Sequence, residues 1–476
     1  MASSDFSKNN LAYILNECGQ ESFWSQIQDF NEEFQRQIYQ QLQKYNLNVL
    51  RTQRQLVFTP NIFSPDQFQP YSKVLFSGST NRIQIGQEAI QQGKVGCLLI
   101  AGGQATRFGG LESSGKPESS GKLEPTSKTE SGKSEIFDVG LKGSYPLSNI
   151  RKKSLFQIFF EKCSAASKFY NRKLPIAVLT SPLNYETTSS YLRNANYFGL
   201  ESSQVNIFQQ TMLPFLDEQG NLMLETESKL AEGPDGNGSA LTSLVQAGIL
   251  SEWQNSGVEI VNMVLIDNPL ADPYDPEMIG TLISKNSEVV VKCTERKHAL
   301  EKMGVIVEQN DRPKVIEYSE LPPEASSWHP LFANLSCFAF RCTFIQKIAN
   351  AELPLHKAFK PTLVMSTNED GEKSKKTKQA WKFEKFIFDV LEFAEEISVL
   401  HFPRDICFAP LKNKEGPDGP DDVRSALLKR DREQYAKIVR RDPPDSVFEL
   451  SAEFYYPTPQ FINKWEKRRT RGTYLE

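Results

Sequence analysis

The sequence predicts an α/β fold with a mixed, mostly parallel central sheet, a helical N-terminal region and a small C-terminal region. In the middle of the chain, short apolar runs typical of buried strands alternate with a longer helical pattern, as in parallel sheets with crossover helices. Residues 5–60 repeat apolar side chains at helical spacing. A chain of 476 residues is expected to form two or three domains. We place these regions at 1–90, 91–400 and 401–476.

The individual elements follow from the same periodicities. Two helical series of apolar residues lie in the N-terminal region, at 23–30 and 34–42. The following elements are predicted beyond them: strands at 95–101, 174–180, 259–266 and 288–293, a helix at 154–168, a hairpin at 304–307 and 314–318, a helix at 420–440 and a polar tail at 470–476.

Composition excludes several classes of function. A net charge of −4 and a pI near 5.9 lack the basic footprint of a nucleic-acid-binding protein. The seven cysteines form no CxxC pair and the four histidines show no metal-ligand spacing, which favours free thiols in a reducing compartment. No apolar run reaches about 18 residues, and the first ten residues lack the apolar core of a signal peptide. We therefore expect a soluble cytoplasmic protein.

Two tracts are predicted to lie outside the packed structure. Residues 111–135 are rich in Ser, Glu and Lys and repeat Ser-Gly-Lys three times. Such a segment buries too little apolar surface to offset its ordering entropy, so we interpret it as a disordered insertion. Residues 366–379 are rich in lysine, and we interpret them as a mobile connection.

A glycine-bearing loop is the first candidate for function. In LLIAGGQATRFG, at 98–109, an apolar run ends at Gly102-Gly103 and Arg107 follows. Glycines allow close backbone approach to an anion, and an arginine adds a forked cation, so the loop suits a nucleotide phosphate at the mouth of an α/β sheet. A plain structural turn is the alternative. The loop is neither a Walker A motif nor a Gly-x-Gly-x-x-Gly fingerprint.

Five further segments place small or polar residues at predicted strand ends and turns. Each alone has an ordinary explanation, such as a capping aspartate, a surface turn or a solvated lysine. Together they supply the lysines, glycine loop and carboxylate that a phosphate-rich substrate with Mg²⁺ requires. The segments centre on Lys142, Gln210, the GPDGNGS turn at 233–239, Asp267 and Lys382.

The same residues lie in an ordered set of motifs. AGGQATRFG, KGSYPLS and KKSLFQI are followed in order by LTSPLN, FGL, FQQTMLP, GPDGNGS, IDNPLADPYDPEMIG, GVIVE, VIEYSE, KFEKFIFDVL and FAPLKN, across residues 90–430. This set resembles the eukaryotic-type UDP-sugar pyrophosphorylases, and most of all the UDP-N-acetylhexosamine pyrophosphorylases. The resemblance implies a Rossmann-like nucleotidyltransferase sheet.

The resemblance also implies a reaction and a set of roles. UTP and a sugar 1-phosphate, most of all N-acetylglucosamine 1-phosphate, would give UDP-sugar and pyrophosphate, with Mg²⁺ or alternatively Mn²⁺. The chain would act as a monomer or weak homo-oligomer, without nucleic acid or membrane. By residue, the implied roles are phosphate handling by Arg107, Lys142 and Lys382, nucleotide binding by Gly102, Gly103, Gln104, Gln210 and Gly236, sugar binding by Asn237, Glu317 and Asn334, and metal binding by Asp267.

Four departures from the family pattern stand in this chain. Ala105 replaces the glycine of Gln-Gly-Thr, and Leu141 replaces the proline before the phosphate lysine. The insertion at 111–135 lengthens the loop between Arg107 and Lys142. Cys337-Phe338 stands where the family has Asn-His.

Several functions stay open at this point. The alternatives within the same chemistry are a UTP–glucose-1-phosphate uridylyltransferase and a broad UDP-sugar pyrophosphorylase. Ala105, Leu141 and the insertion keep a catalytically weak nucleotide-sugar binding protein in view. A scaffold that binds partners through 111–135 is supported by predicted disorder alone.

Overall fold

The computed structural model describes residues 6–60, 68–103, 141–298, 301–321, 328, 330–367, 373–466 and 472–476. Its helices are α1 (Lys8–Glu17), α2 (Glu21–Ile27), α3 (Glu32–Leu42), α4 (Leu47–Phe58), α5 (Thr80–Gln91), α6 (Leu155–Tyr170), α7 (Tyr185–Asn194), α8 (Ala240–Gln246), α9 (Ile249–Asn255), α10 (Pro276–Ser284), α11 (Cys342–Lys347), α12 (Arg404–Cys407), α13 (Pro420–Val439) and α14 (Pro459–Glu466). Its strands are β1 (Gln69–Pro70), β2 (Leu75–Phe76), β3 (Val95–Ile100), β4 (Ile176–Thr180), β5 (Val205–Gln209), β6 (Met212–Pro214), β7 (Leu224–Thr226), β8 (Lys229–Leu230), β9 (Glu232–Pro234), β10 (Ile260–Leu265), β11 (Val289–Glu295), β12 (Val305–Gln309), β13 (Arg312–Ile316), β14 (Phe332–Arg341), β15 (His356–Thr367), β16 (Lys373–Glu384), β17 (Ile397–His401), β18 (Glu449–Leu450) and β19 (Tyr474–Leu475).

A large mixed sheet forms the centre of the fold. Its strand order is β2-β17-β11-β14-β10-β3-β4-β5, and β12, with β1 and β13, branches from β14. The pairs β10–β3, β3–β4, β4–β5, β11–β17 and β17–β2 are parallel, whereas β14 runs antiparallel to both of its neighbours in that order. The predicted mixed, mostly parallel sheet is therefore confirmed.

Both faces of this sheet are covered, which explains the continuous apolar runs in its strands. Along β3, Cys97 and Leu99 join a cluster with α5, α6 and α10, while Leu98 and Ile100 join another with α8, α9 and α11. Side chains alternate across a strand, so successive residues enter opposite layers. All six residues of β3 are buried.

The N-terminal helices pack against a smaller lobe rather than against the sheet. Their buried residues, including Phe23 and Ile38, form one cluster with Leu213, Leu230 and Phe383. The lobe consists of the short pairs β6–β9 and β7–β8 and the long antiparallel hairpin β15–β16. The N-terminal region thus supports the part of the chain that holds Lys382.

The hairpin corrects one sequence-based prediction. Residues 366–379 were expected to form a mobile connection, but the described part of that tract belongs to β15 and β16. Thr362, Val364 and Ser366 are buried, and Val364 and Ala380 pack with Phe215. The exposed lysines at the start of β16 concealed this packing, because the buried residues opposite them lie on β15 and are spaced two apart.

The C-terminal region is held by its own apolar cluster, which includes Tyr435, Phe448 and Trp465. Helix α13 confirms the predicted helix at 420–440. The predicted polar tail is partly wrong, because Tyr474–Leu475 pairs as β19 with β18. In the described parts of the chain, every helix is too short or too polar to cross a membrane.

Candidate active site

Two neighbouring parallel strands bring the first candidate residues to one edge of the sheet. Leu265 of β10 lies opposite Ile100 of β3, and the N–H of Ile266 donates to the carbonyl of Ile100 at 3.0 Å. Gly102 and Asp267 each follow two residues after the end of their strand. Carboxyl ends of parallel strands are where α/β sheets bind ligands, so this edge is the candidate site.

The Gly102 backbone lies directly against the side chain of Gln210. A Cβ built on Gly102 would stand 2.4 Å from Oε1 of Gln210, a distance that real Cβ atoms do not show. The N–H of Gln210 donates to the carbonyl of Thr180 at 2.8 Å, which fixes the end of β5 next to β4. Glycine at 102 therefore permits the contact that joins two of the predicted nucleotide residues. Gly103 has open space at the corresponding position.

Lys142 and Asp267 form an ion pair in the same place. The Nζ of Lys142 lies 3.7 Å from Oδ2 of Asp267, and their side chains are 18% and 21% exposed. Lys142 opens a short 3-10 turn, Lys142–Ser144. A Cβ on Gly143 would come within 2.1 Å of the Phe156 ring, so this turn sits tightly on α6. The cation and the carboxylate implied for phosphate and metal are thus brought together.

The segment from Asp267 to Ala271 is held by hydrogen bonds from several other parts of the chain. The N–H of Leu411 donates to the Asp267 carbonyl at 2.7 Å, and Asn268 bridges Cys407 and Ala409 through its amide group. The buried ammonium of Lys162 donates to the carbonyls of Pro269 and Ala271 at 2.6 and 2.8 Å. Burial lowers the pKa of Lys162, and Arg430 adds to this effect. These contacts fix the backbone that presents Asp267.

Asp235, which the sequence analysis did not single out, links three candidate segments. Its buried carboxylate accepts hydrogen bonds from the hydroxyls of Thr211 and of Ser239, the latter at 2.7 Å. Its carbonyl accepts from the N–H of Lys385 at 2.7 Å. Burial raises the pKa of Asp235, although the two hydroxyls oppose that rise. Asp235 therefore ties the turn after Gln210 to the GPDGNGS turn and to the segment after Lys382.

The GPDGNGS turn is also held by backbone proximity. Gly236 has a φ of +88°, and a Cβ there would meet the Lys385 carbonyl at 2.4 Å. Asn237 accepts a hydrogen bond at Oδ1 from the N–H of Ile387 at 2.9 Å. The oxygen of Asn237 is thus engaged within the protein. Its implied role at the sugar stays a prediction.

Lys382 lies on β16, where it faces the ring of Phe215 at 4.7 Å from the ring centroid. It is partly buried. Burial lowers its pKa, and the positive charge of Lys360 lowers it further. An ammonium that is partly stripped of water and faces another cation gains from a bound anion, which agrees with the implied phosphate contact.

Glu317 belongs to a group of acidic residues around His356. The Nε2 of His356 lies 2.9 Å from Oδ2 of Asp389, and its ring packs on Phe386 with centroids 4.4 Å apart. Burial raises the pKa of Glu317, and the charge of Glu320 adds to the rise while His356 opposes it. The sequence offered no signal for His356, which is an isolated histidine.

Of the remaining predicted residues, two are buried in the fold and the others lie outside the described residues. Asn334 is buried in β14, and its Oδ1 accepts from the N–H of Ser336 at 2.9 Å, so its sugar role stays a prediction. Leu141 is buried in the core at a φ of −117°, which proline does not adopt. Three predicted features lie outside the described residues: Gln104-Ala105, Arg107 and the insertion at 111–135.

Comparison with known proteins identifies a matching family and several relatives of this chain. Residues 138–426 match the family described as UTP–glucose-1-phosphate uridylyltransferase. A human protein named UDP-N-acetylhexosamine pyrophosphorylase-like protein 1 is 31% identical over 362 residues, which cover 72% of this chain and 66% of that protein. The UDP-N-acetylglucosamine pyrophosphorylase of Saccharomyces cerevisiae is 30% identical over 365 residues, or 73% of this chain and 70% of that protein.

A solved structure shares the whole fold. The uridine diphosphate N-acetylglucosamine pyrophosphorylase of Trypanosoma brucei superposes with a TM-score of 0.77 over 100% of this chain and 99% of that one, at 20% identity. At that identity the likeness concerns the fold alone.

Proposed function

Because this chain belongs to the UTP–glucose-1-phosphate uridylyltransferase family, we propose that it transfers a uridylyl group from UTP to N-acetylglucosamine 1-phosphate. Membership in the family makes the chain a nucleotidyltransferase. The choice of sugar is supported by the names of the human and yeast relatives. The observation that supports the site most directly is the Lys142–Asp267 pair, 3.7 Å apart at the carboxyl edge of the parallel strands.

The proposed reaction is an in-line displacement at phosphorus. A phosphate oxygen of the sugar 1-phosphate forms a bond to the α-phosphorus of UTP, and the bond from that phosphorus to the bridging oxygen of the β-phosphate breaks. Pyrophosphate leaves with the electron pair of that bond. The attacking phosphate is already ionised, so the protein needs no general base. Its task is positioning and neutralisation of charge.

The residues divide this task by their location. Gly102, Gly103, Gln104, Gln210 and Gly236 would hold the nucleotide. Lys142, Lys382 and Arg107 would neutralise the phosphates, and Asn237, Glu317 and Asn334 would contact the sugar. The close approach of Gly102 to Gln210 and the hydrogen bonds of Asp235 to Thr211 and Ser239 support a nucleotide pocket here, because they join the loops that carry these residues.

A divalent cation fits the donor set at Asp267. Among the described residues no cluster of three acidic, histidine or cysteine side chains is present for a metal. Mg²⁺ is commonly held by one or two carboxylates together with substrate phosphates, and Asp267 offers one partly exposed carboxylate beside the proposed phosphate site. When bound, Mg²⁺ or Mn²⁺ would neutralise charge on the phosphate oxygens. Lys142, which lies 3.7 Å from the same carboxylate, would neutralise charge on the same phosphates.

Glucose 1-phosphate is the second candidate substrate, favoured by the description of the matching family. A panel of glucose, galactose, N-acetylglucosamine and N-acetylgalactosamine 1-phosphates, each with UTP and Mg²⁺, tests the proposal by release of pyrophosphate. We expect the highest kcat/KM with N-acetylglucosamine 1-phosphate. Turnover with glucose 1-phosphate alone would assign the second candidate. Calorimetric UTP binding without turnover of any sugar would contradict both and assign a binding protein.

Two further expectations belong to this proposal. We expect a monomer or weak homo-oligomer, which sedimentation tests directly. We also expect a cytoplasmic location. All seven cysteines are buried free thiols, and that pattern is typical of a reducing compartment.

A further inference from the structure

Four lysines occupy successive rows on one face of the β15–β16 hairpin. Cross-strand pairs in the hairpin are Ala358–Lys382, Lys360–Ala380, Thr362–Lys378 and Val364–Lys376. Side chains of paired residues share a face, and the next pair on that face lies two residues along each strand. Each of the four rows therefore contributes one lysine. The row before Lys382 pairs His356 with Glu384 and leads to the acidic group around Glu317.

The rows are close enough for the charges to act together. Residues two apart on a strand are separated by about 7 Å, so the four rows span about 20 Å. Each step is shorter than the Debye length of about 10 Å at 0.1 M salt. The influence of Lys360 on the pKa of Lys382 shows that adjacent rows interact. The series thus extends the potential of Lys382 away from the sugar side.

The three outer lysines of this face are exposed to solvent, although the hairpin that carries them is packed against the lobe. Lys360, Lys376 and Lys378 are exposed, whereas Val364 and Ala380 on the same face are buried against Phe215. The carboxylate of Glu225 lies near the hairpin but pairs with Lys229 at 2.6 Å and with Lys375, on the opposite face, at 3.5 Å. Within the part of the chain that the structure describes, Lys360, Lys376 and Lys378 form no ion pair. Three solvated ammonium groups thus stand in line with Lys382.

We propose that Lys382, Lys360, Lys378 and Lys376 form a cationic track that guides polyphosphate, as the triphosphate of UTP or as pyrophosphate, between solvent and the reaction site. This inference rests on the proposed function through the role of Lys382. The ligand class follows from chemistry: three or four negative charges on a compact chain match a line of lysines, which act as point charges without fixed geometry. Such steering acts on association and weakens with salt.

The test measures the KM for pyrophosphate in the reverse reaction and the affinity for pyrophosphate by direct binding. With the full-length protein, UDP-N-acetylglucosamine and Mg²⁺, we expect Lys360→Gln to raise the KM for pyrophosphate about tenfold and Lys376→Gln about twofold, with Lys378→Gln between them. The kcat should stay within about twofold. The ionic-strength dependence of kcat/KM should flatten in the same order. Calorimetry of inorganic pyrophosphate with the same proteins should reproduce the order of affinities.

Lys375→Gln is the matched control, because it removes the same charge from the opposite face of the same hairpin. An unchanged KM and salt dependence in the three track variants would overturn the track, as would an equal change in the control. Lysines on an exposed edge strand also discourage pairing with other chains, and that role alone predicts no change in KM. If the wild type shows no turnover, the proposed function fails, and the calorimetric order alone decides whether the track stands.

Discussion

The ammonium of Lys142 lies 3.7 Å from the carboxylate of Asp267, although 125 residues separate them in the chain. The pair stands at the carboxyl edge of β3 and β10, and the Asp267 backbone is fixed by Leu411. The opposite charges of the two groups leave the local field nearly neutral. The pair therefore holds a cation and a carboxylate side by side where we propose that phosphates and a metal bind.

Loss of either member of this pair should remove most turnover. We expect Lys142→Ala and Asp267→Ala each to lower kcat by about 10²–10³, equivalent to about 2.7–4 kcal/mol of transition-state stabilisation. Steady-state pyrophosphate release measures the effect, and the melting temperature reports on the fold. Lys168→Ala, which removes an exposed lysine on α6, serves as the control. A rate near that of the control in either variant would contradict the assigned role.

A methyl group at position 102 should disturb the nucleotide pocket of the free protein. Gly102→Ala places a Cβ 2.4 Å from Oε1 of Gln210, whereas Gly103→Ala meets nothing within 4 Å. We expect Gly102→Ala to lower the free energy of unfolding by about 1–3 kcal/mol, and Gly103→Ala to leave it nearly unchanged. Urea denaturation compares the two.

The affinity for UTP distinguishes a steric effect on the protein from a direct effect on nucleotide binding in the two glycine variants. Weaker UTP binding in both indicates that the nucleotide itself needs close backbone approach at each glycine. A loss of stability in Gly103→Ala equal to that in Gly102→Ala would refute the steric argument.

Glu317 should act on the sugar and not on the nucleotide. We expect Glu317→Gln to raise the KM for sugar 1-phosphate about tenfold, because one charge-assisted hydrogen bond contributes about 1.5–3 kcal/mol. The KM for UTP should change less than twofold. Initial-rate kinetics with each substrate varied in turn gives both values. Glu392→Gln, at an exposed carboxylate that pairs with Lys314, is the control. A parallel rise in both KM values would show that Glu317 acts on the whole site.

Asp431 should make stability depend on pH. Burial raises its pKa to about 7 against the opposing hydrogen bonds from Tyr455 and Leu450. The folded state thus retains a proton that the unfolded state releases near pH 4, so the free energy of unfolding falls as pH rises from about 4 to 7. We expect the difference between wild type and Asp431→Asn to shift by about 2 kcal/mol against the wild type between pH 5 and 8. Urea denaturation at three pH values measures it, and parallel curves would contradict it.

The sheet and the edge at which the candidate residues meet could be predicted because periodicity is local. Strand β10 begins and ends within one residue of the predicted 259–266, and Asp267 follows it as expected. The role of Asp235 could not be predicted, since its partners Thr211 and Lys385 are distant in sequence. The hairpin was missed for a related reason. Its buried positions Thr362, Val364 and Ser366 include two polar side chains and lie opposite a lysine-rich strand, so composition outweighed the alternation of buried and more exposed positions.

The hydrogen bond between Leu411 and Asp267 also limits the order in which the chain can fold. The residue is fixed by backbone contact with Leu411, and Asn268 beside it is fixed by Ala409, so the loop is complete only with partners about 140 residues downstream. Strand β2, near residue 75, pairs with β17, near residue 400. Contacts of such sequence separation form slowly and late. During synthesis, the loop that carries Asp267 is therefore completed only after residue 411 has left the ribosome, long after β3 and β10 have been made.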